Sequence, residues 1–122
     1  MKIQKSAEDY LEAMLMLKEQ RGFIRSVDIA DKLAVSKPSV SYAVKNLEEG
    51  GYLTKDHSGF ITLTDSGFEI ADRIYQRHKF LTDFFENIGV NSETAHDDAC
   101  KVEHDISDET FAALKKFAKK KI

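Results

Sequence analysis

The 122 residues include a single cysteine and a single proline, and no apolar run approaches the ~20 residues needed to cross a bilayer. One cysteine excludes an internal disulfide, which leaves Cys100 as a buried thiol, a ligand or a reactive group. The opening MKIQKSAEDY lacks the apolar segment of a secretory signal, so the expected compartment is the cytoplasm, with no membrane partner. Repeats, low-complexity stretches and long linkers are absent. There is no basic excess either: residues 1–79 hold 12 Lys/Arg and 12 Asp/Glu, residues 80–122 hold 6 and 9, and the net charge of -3 lies in the second part. Nucleic-acid binding would have to come from a local patch, because the overall charge repels phosphate. An apolar fraction of 42% is ordinary for a globular chain of one or two small domains.

Apolar periodicity gives the organisation. Tyr10, Leu11, Met14, Leu15 and Leu17 recur at helical spacing, with Ser6 as a candidate cap and Arg21-Gly22 as the stop. SVDIADKLAV and SKPSVSYAVKNLEEGG follow as two short amphipathic helices, the second opening at Pro38 and closing at Gly50-Gly51. So short a connection predicts a helix-turn-helix. YLTKD and FITLT, flanking HSG, predict a two-stranded hairpin placed as the wing of a winged helix. Beyond it, Ser66 and Glu69 have capping-box spacing ahead of a long helix that ends at Gly89. A further helix is expected from Asn91 or Ser92 to about Asp105, and a last one from Ser107 into the basic run KKFAKKK. The expected class is mainly α: a winged helix-turn-helix domain, 1–64, and an all-helical domain, 65–122, whose aromatic residues suggest a dimer interface.

Within SKPSVSYAVKNL the apolar positions face one way, while Ser39, Ser41, Tyr42 and Lys45 face the other, and the segment contains no acid. Such a helix can enter a major groove, its hydroxyls meeting bases or phosphates and its lysines offsetting backbone charge. The candidate DNA contacts are Ser36, Lys37, Pro38, Ser39, Ser41, Tyr42 and Lys45, with Arg25, Lys55 and His57 as supporting contacts. A polar face used for protein contacts is the alternative.

The second half carries a dense set of donors. At 100° per residue, His96, Cys100, Glu103 and His104 fall within an arc of about 100° on a helix. Ala95, Ala99, Val102 and Ile106 occupy another face. A solvated surface is the competing reading, but an exposed thiol between two histidines invites oxidation and adventitious metal. His78 interrupts the apolar stripe of the long helix, where it is equally readable as a core histidine bonded to a neighbour. Asp9 and Glu12 share a face of the first helix, although Asp9 also fits a capping box with Ser6.

SAEDYLEAM, DIADKLAVSKPSVSYAVKNLEEGGYL, the RHKFL around His78 and HDDACKVEHDIS together resemble the metal-dependent repressors of the diphtheria toxin repressor and manganese transport regulator family. The resemblance spans nearly the whole chain. In the iron-responsive branch it implies a main site of Asp9, Cys100, Glu103 and His104, with His78 and His96 in an ancillary site. Thr82 stands where that branch carries an ancillary glutamate. Asp9 and Glu12 both match ligands of the manganese branch, which has a glutamate in place of Cys100. With the sequence stopping at Ile122, the expectation is a short form lacking the family's SH3-like third domain.

The resemblance implies a non-enzymatic, metal-activated repressor binding a palindromic double-stranded operator as a homodimer and controlling metal-uptake genes. Fe(II) is favoured over Mn(II), with one or two ions per protomer and other divalent metals able to substitute in vitro, because a mixed thiolate, imidazole and carboxylate set suits iron, cobalt or zinc better than manganese. No organic substrate is expected. A winged-helix regulator responding to a small organic ligand is the alternative, and a thiol nucleophile pair of Cys100 and His104 is a further rival without an obvious oxyanion hole.

Overall fold

The computed structural model describes residues 5–121, in the order α1 (Lys5–Arg21), α2 (Ser26–Leu33), α3 (Lys37–Glu49), β1 (Leu53–Lys55), β2 (Ile61–Leu63), α4 (Asp65–Asn87), α5 (Ser92–Val102) and α6 (Asp108–Lys121). This is the mainly helical winged helix-turn-helix with a helical second part that the sequence predicts. Contacts divide the chain into two compact units that meet in sequence within α4, between Arg73 and Ile74. The domain boundary expected at residue 64 lies at the entry to that helix. Among the described residues, no helix is long and apolar enough to cross a membrane.

In the first unit, Ile24, Ile29, Val40, Val44, Leu47, Leu53 and Ile61 are buried. α2 packs against both α1 and α3, and α3 continues the packing onto β1. Only Ala34, Val35 and Ser36 join α2 to α3. Ala34 takes the left-handed conformation (φ 55°) to close α2. Ser36 then opens α3, its Oγ accepting from the Ser39 amide at 3.2 Å, with Pro38 in the first turn. Side-chain capping is typically worth about 1 kcal/mol, so Ser36 does structural work whatever else it touches.

The wing pairs Leu53 with Leu63, Thr54 with Thr62 and Lys55 with Ile61 in antiparallel register. Its turn is held by Asp56, whose Oδ1 accepts from Ser58 N at 2.9 Å and Phe60 N at 3.0 Å, while Gly59 supplies φ 91°. A third extended segment joins the ribbon, because Ile61 N donates to Ile24 O at 2.9 Å and Arg25 bridges Phe60.

Two predicted caps move. Ser6 is helical within α1 and is not its cap, which removes the capping reading of Asp9. α4 starts at Asp65, with Thr64 as its cap: Thr64 Oγ1 accepts from Gly67 N at 3.2 Å and donates to Gly51 O at 2.7 Å. The Ser66–Glu69 box is displaced because Thr64 secures the helix start and the preceding loop together. Gly67 is obligatory here, since a Cβ on it would lie 1.9 Å from Tyr52 O.

In the second unit, the buried positions of α4 are Ile74, Arg77, His78 and Leu81. Asn91 caps α5, accepting from Glu93 N at 2.9 Å, and Ala95 and Ala99 form its buried face. Ser107 caps α6 by accepting from Thr110 N at 3.1 Å. Phe80 of α4 meets Phe111 of α6 edge-on, with ring centroids 5.4 Å apart. α5 is shorter than its predicted extent to Asp105. It ends at Val102, and residues 103–106 form the connection to α6.

Candidate metal centre and nucleic-acid interface

On α3, the apolar spacing that buries Val40, Val44 and Leu47 turns the intervening side chains outward. Lys37, Pro38, Ser39, Ser41, Tyr42 and Lys45 are all exposed, Tyr42 most visibly at 71%. The first turn carries no acid, so the partial positive charge of the helix N-terminus is reinforced by Lys37. The Ser36 hydroxyl donates to Ser39 Oγ at 2.8 Å, leaving the Ser39 hydrogen available to an outside acceptor. On the ribbon, Arg25, Lys55 and His57 are exposed, and the Arg25 guanidinium lies 5.9 Å from the Phe60 ring centroid. Asn46, which the sequence reading does not include, is also exposed one turn beyond Tyr42.

Five of the predicted donors belong to the second unit. His78 Nδ1 lies 2.8 Å from Glu103 Oε1, both residues being buried. Cys100 Sγ lies 3.7 Å from His78 Nδ1 and 3.8 Å from His96 Nε2, and the two imidazole rings stand edge-on with centroids 4.7 Å apart. One ligand atom from each of His78, His96 and Cys100 falls within 4.8 Å of the others. His104 Nε2 lies 3.7 Å from Glu103 Oε2, and its side chain is almost fully buried.

Of the four residues expected on one helical face, His96 and Cys100 lie within α5, and Glu103 is its C-cap, with helical dihedrals (φ -57°, ψ -27°) and its N–H donating to Ala99 O at 3.0 Å. His96 and Cys100 sit one turn apart on the helix and are exposed. Glu103 and His104 lie in the following turn, where Glu103 is 0% exposed. A solvated surface is therefore excluded for Glu103 and for the His104 side chain. Cys100, which the resemblance assigns with Glu103 and His104, also stands beside the two histidines of the implied ancillary pair. Those two imidazoles flank its thiol. Thr82 donates its hydroxyl hydrogen to His78 O at 2.8 Å, a bond within its own helix.

The donor set fits a transition metal. With metal–sulfur bonds near 2.3 Å and metal–nitrogen bonds of 2.0–2.1 Å, tetrahedral sulfur and nitrogen ligands are separated by about 3.6 Å. The two S···N distances of 3.7 and 3.8 Å are close to that value. The 2.8 Å between His78 Nδ1 and Glu103 Oε1 is a hydrogen bond that holds His78 in place without metal.

Asp9 and Glu12 belong to the first unit, three residues apart on α1, Glu12 buried and Asp9 partly so. A carboxylate at the buried Glu12 position requires a compensating cation or donor. The neighbouring acid Glu8 pairs with Arg73 at 3.2 Å.

Residues 2–59 match the family described as iron dependent repressor, N-terminal DNA binding domain, and residues 64–120 match iron dependent repressor, metal binding and dimerisation domain. The HTH-type transcriptional regulator MntR of Bacillus pumilus is 39% identical over 102 residues, covering 84% of this chain and 71% of that protein. An uncharacterized HTH-type transcriptional regulator of Methanocaldococcus jannaschii, MJ0568, is 38% identical over 117 residues, covering 94% of each chain. The solved manganese regulator SloR superposes with a TM-score of 0.81 at 32% identity, over 98% of this chain and 55% of its own.

Proposed function

The chain belongs to the iron-dependent repressor family, and from that premise we propose that it is a metal-activated transcriptional repressor, binding a palindromic operator as a homodimer and controlling metal-uptake genes. The observation that carries this reading is the donor cluster of His78, His96, Cys100 and Glu103, with S···N separations suited to a bound transition metal. The exposed, acid-free opening of α3 supports the DNA half of the reading.

The proposed ligands are Asp9, Glu12, His78, His96, Cys100, Glu103 and His104, shared between one or two ions. Asp9 and Glu12 are assigned from the sequence resemblance. A bound divalent cation supplies two positive charges among carboxylates and a thiolate. The chain's own residues divide the remaining work: His78 and Glu103 hold each other in place before metal binds, Cys100 provides a soft anionic donor, and Ser39, Tyr42 and Lys45 face the nucleic acid. Coupling between metal and operator binding is reciprocal and of the order of 1–3 kcal/mol, about 5- to 150-fold in affinity. Cys100 acts as a ligand in this scheme and not as a nucleophile.

Cys100 favours Fe(II), Co(II) or Zn(II) on chemical grounds, and Fe(II) is our proposed physiological ion. Mn(II) is the second reading, favoured by the likeness to the manganese regulator SloR. Operator binding titrated anaerobically with Fe(II), Mn(II) and Zn(II), for wild type and Cys100→Glu, separates them. The iron reading expects the substitution to shift preference toward manganese. An unchanged preference refutes the role of the thiol, and metal-independent operator affinity refutes the switch.

A further inference from the structure

Arg77 immediately precedes His78 on α4 and is 3% exposed; its two terminal nitrogens are engaged, while its buried Nε has no hydrogen-bond partner among the described residues. Its Nη1 donates to Glu103 O at 3.2 Å and to Ile106 O at 2.6 Å. Its Nη2 pairs with Asp108 Oδ1, and the guanidinium carbon stands 5.2 Å from the Phe111 ring centroid. These contacts span the turn that follows α5 and carries Glu103 and His104. Carbonyls in such a place have run out of intrahelical donors, and a fixed guanidinium fork can satisfy two of them while remaining charged. Consecutive residues of α4 therefore grip Glu103 at both ends, Arg77 at its backbone carbonyl and His78 at its carboxylate.

We propose that Arg77 is a positioning residue for the metal centre: it holds the Glu103–Ile106 turn in its ligand-presenting shape before metal arrives, and through Asp108 ties that turn to the start of α6. The proposal rests on the metal-binding reading above and extends it to a cation that is itself no ligand. A turn left loose would have to be ordered at the moment of binding, so its preordering appears directly as metal affinity. Partners that orient metal ligands in this way typically contribute 10- to 100-fold in affinity.

The test compares wild type with Arg77→Met, which keeps an unbranched apolar stem and removes the guanidinium donors, and Arg77→Lys, which keeps the charge and removes the planar fork. Co(II) affinity and the thiolate-to-cobalt absorption band are measured anaerobically, and amide hydrogen exchange of residues 103–107 is followed in the metal-free proteins. Arg77→Met should bind Co(II) about 10- to 100-fold more weakly, with exchange accelerated at the turn, and Arg77→Lys should fall between it and wild type. Folded variants with wild-type affinity overturn the proposal, as does weakened binding with unchanged exchange of the turn. Should Arg77→Met fail to fold, Arg77→Lys decides by the same two readouts. Wild type that binds no Co(II) overturns the metal reading itself, whereas wild type that binds and variants that match it overturn the role of Arg77 alone.

Discussion

Replacing Glu103 by glutamine preserves its volume and removes its charge at a site that is 0% exposed and 2.8 Å from His78. Little packing is lost, so the metal-free stability reports the His78 contact and the metal-bound stability reports the carboxylate as a ligand. If the carboxylate contributes about 100-fold to metal affinity, the consequence follows from mass action. At a free metal concentration of 1,000 times the wild-type Kd, bound metal stabilises the native state by about 4.1 kcal/mol. A 100-fold weaker variant gains only about 1.4 kcal/mol at the same concentration. For a chain of this size, roughly 3–6 °C in Tm accompanies each kcal/mol, so a metal-induced rise of about 12–24 °C should shrink to about 4–8 °C. Circular dichroism melts of wild type and Glu103→Gln, each with and without Co(II) under anaerobic conditions, measure the difference. Equal metal-induced shifts in the two proteins would refute the assignment of Glu103 as a ligand, whatever happened to the metal-free Tm.

Lys45→Ala should weaken DNA binding across sequences and reduce the slope of log K against log salt by about one, read from titrations at several salt concentrations; an unchanged slope removes Lys45 from the phosphate contacts. Gly67→Ala should destabilise the protein by about 3 kcal/mol or more, because its Cβ would meet Tyr52 O at 1.9 Å and both partners are backbone, so that neither can swing aside. Urea denaturation measures this effect, and a variant within about 0.5 kcal/mol of wild type contradicts the geometry at the entry to α4.

Wherever the decisive interactions are local, the sequence by itself determined the outcome. The helix-turn-helix follows from apolar spacing, the Ser36 cap and the shortness of the connection, all of which act within a few residues. The wing follows from β-branched runs around a turn that needs Gly59 at positive φ. The outward face of α3 is fixed once Val40, Val44 and Leu47 turn inward. The candidate donors were legible as residue types at suggestive spacing.

Tertiary structure decided how those donors are grouped. Helical spacing holds as far as Glu103, the C-cap of α5, but it does not reveal that this carboxylate meets His78, 25 positions away in sequence. Cys100, within α5, meets His78 of α4 across 22 positions. The Thr64 cap displaced the expected Ser66 box because its hydroxyl also reaches Gly51 O, 13 positions earlier. Arg77 opens the RHKFL stretch, but nothing in the sequence pointed to its role. A lone arginine beside a histidine becomes intelligible only when Glu103, Ile106 and Asp108 converge on its guanidinium, because periodicity encodes which face is buried and not which distant carbonyl a buried donor will find.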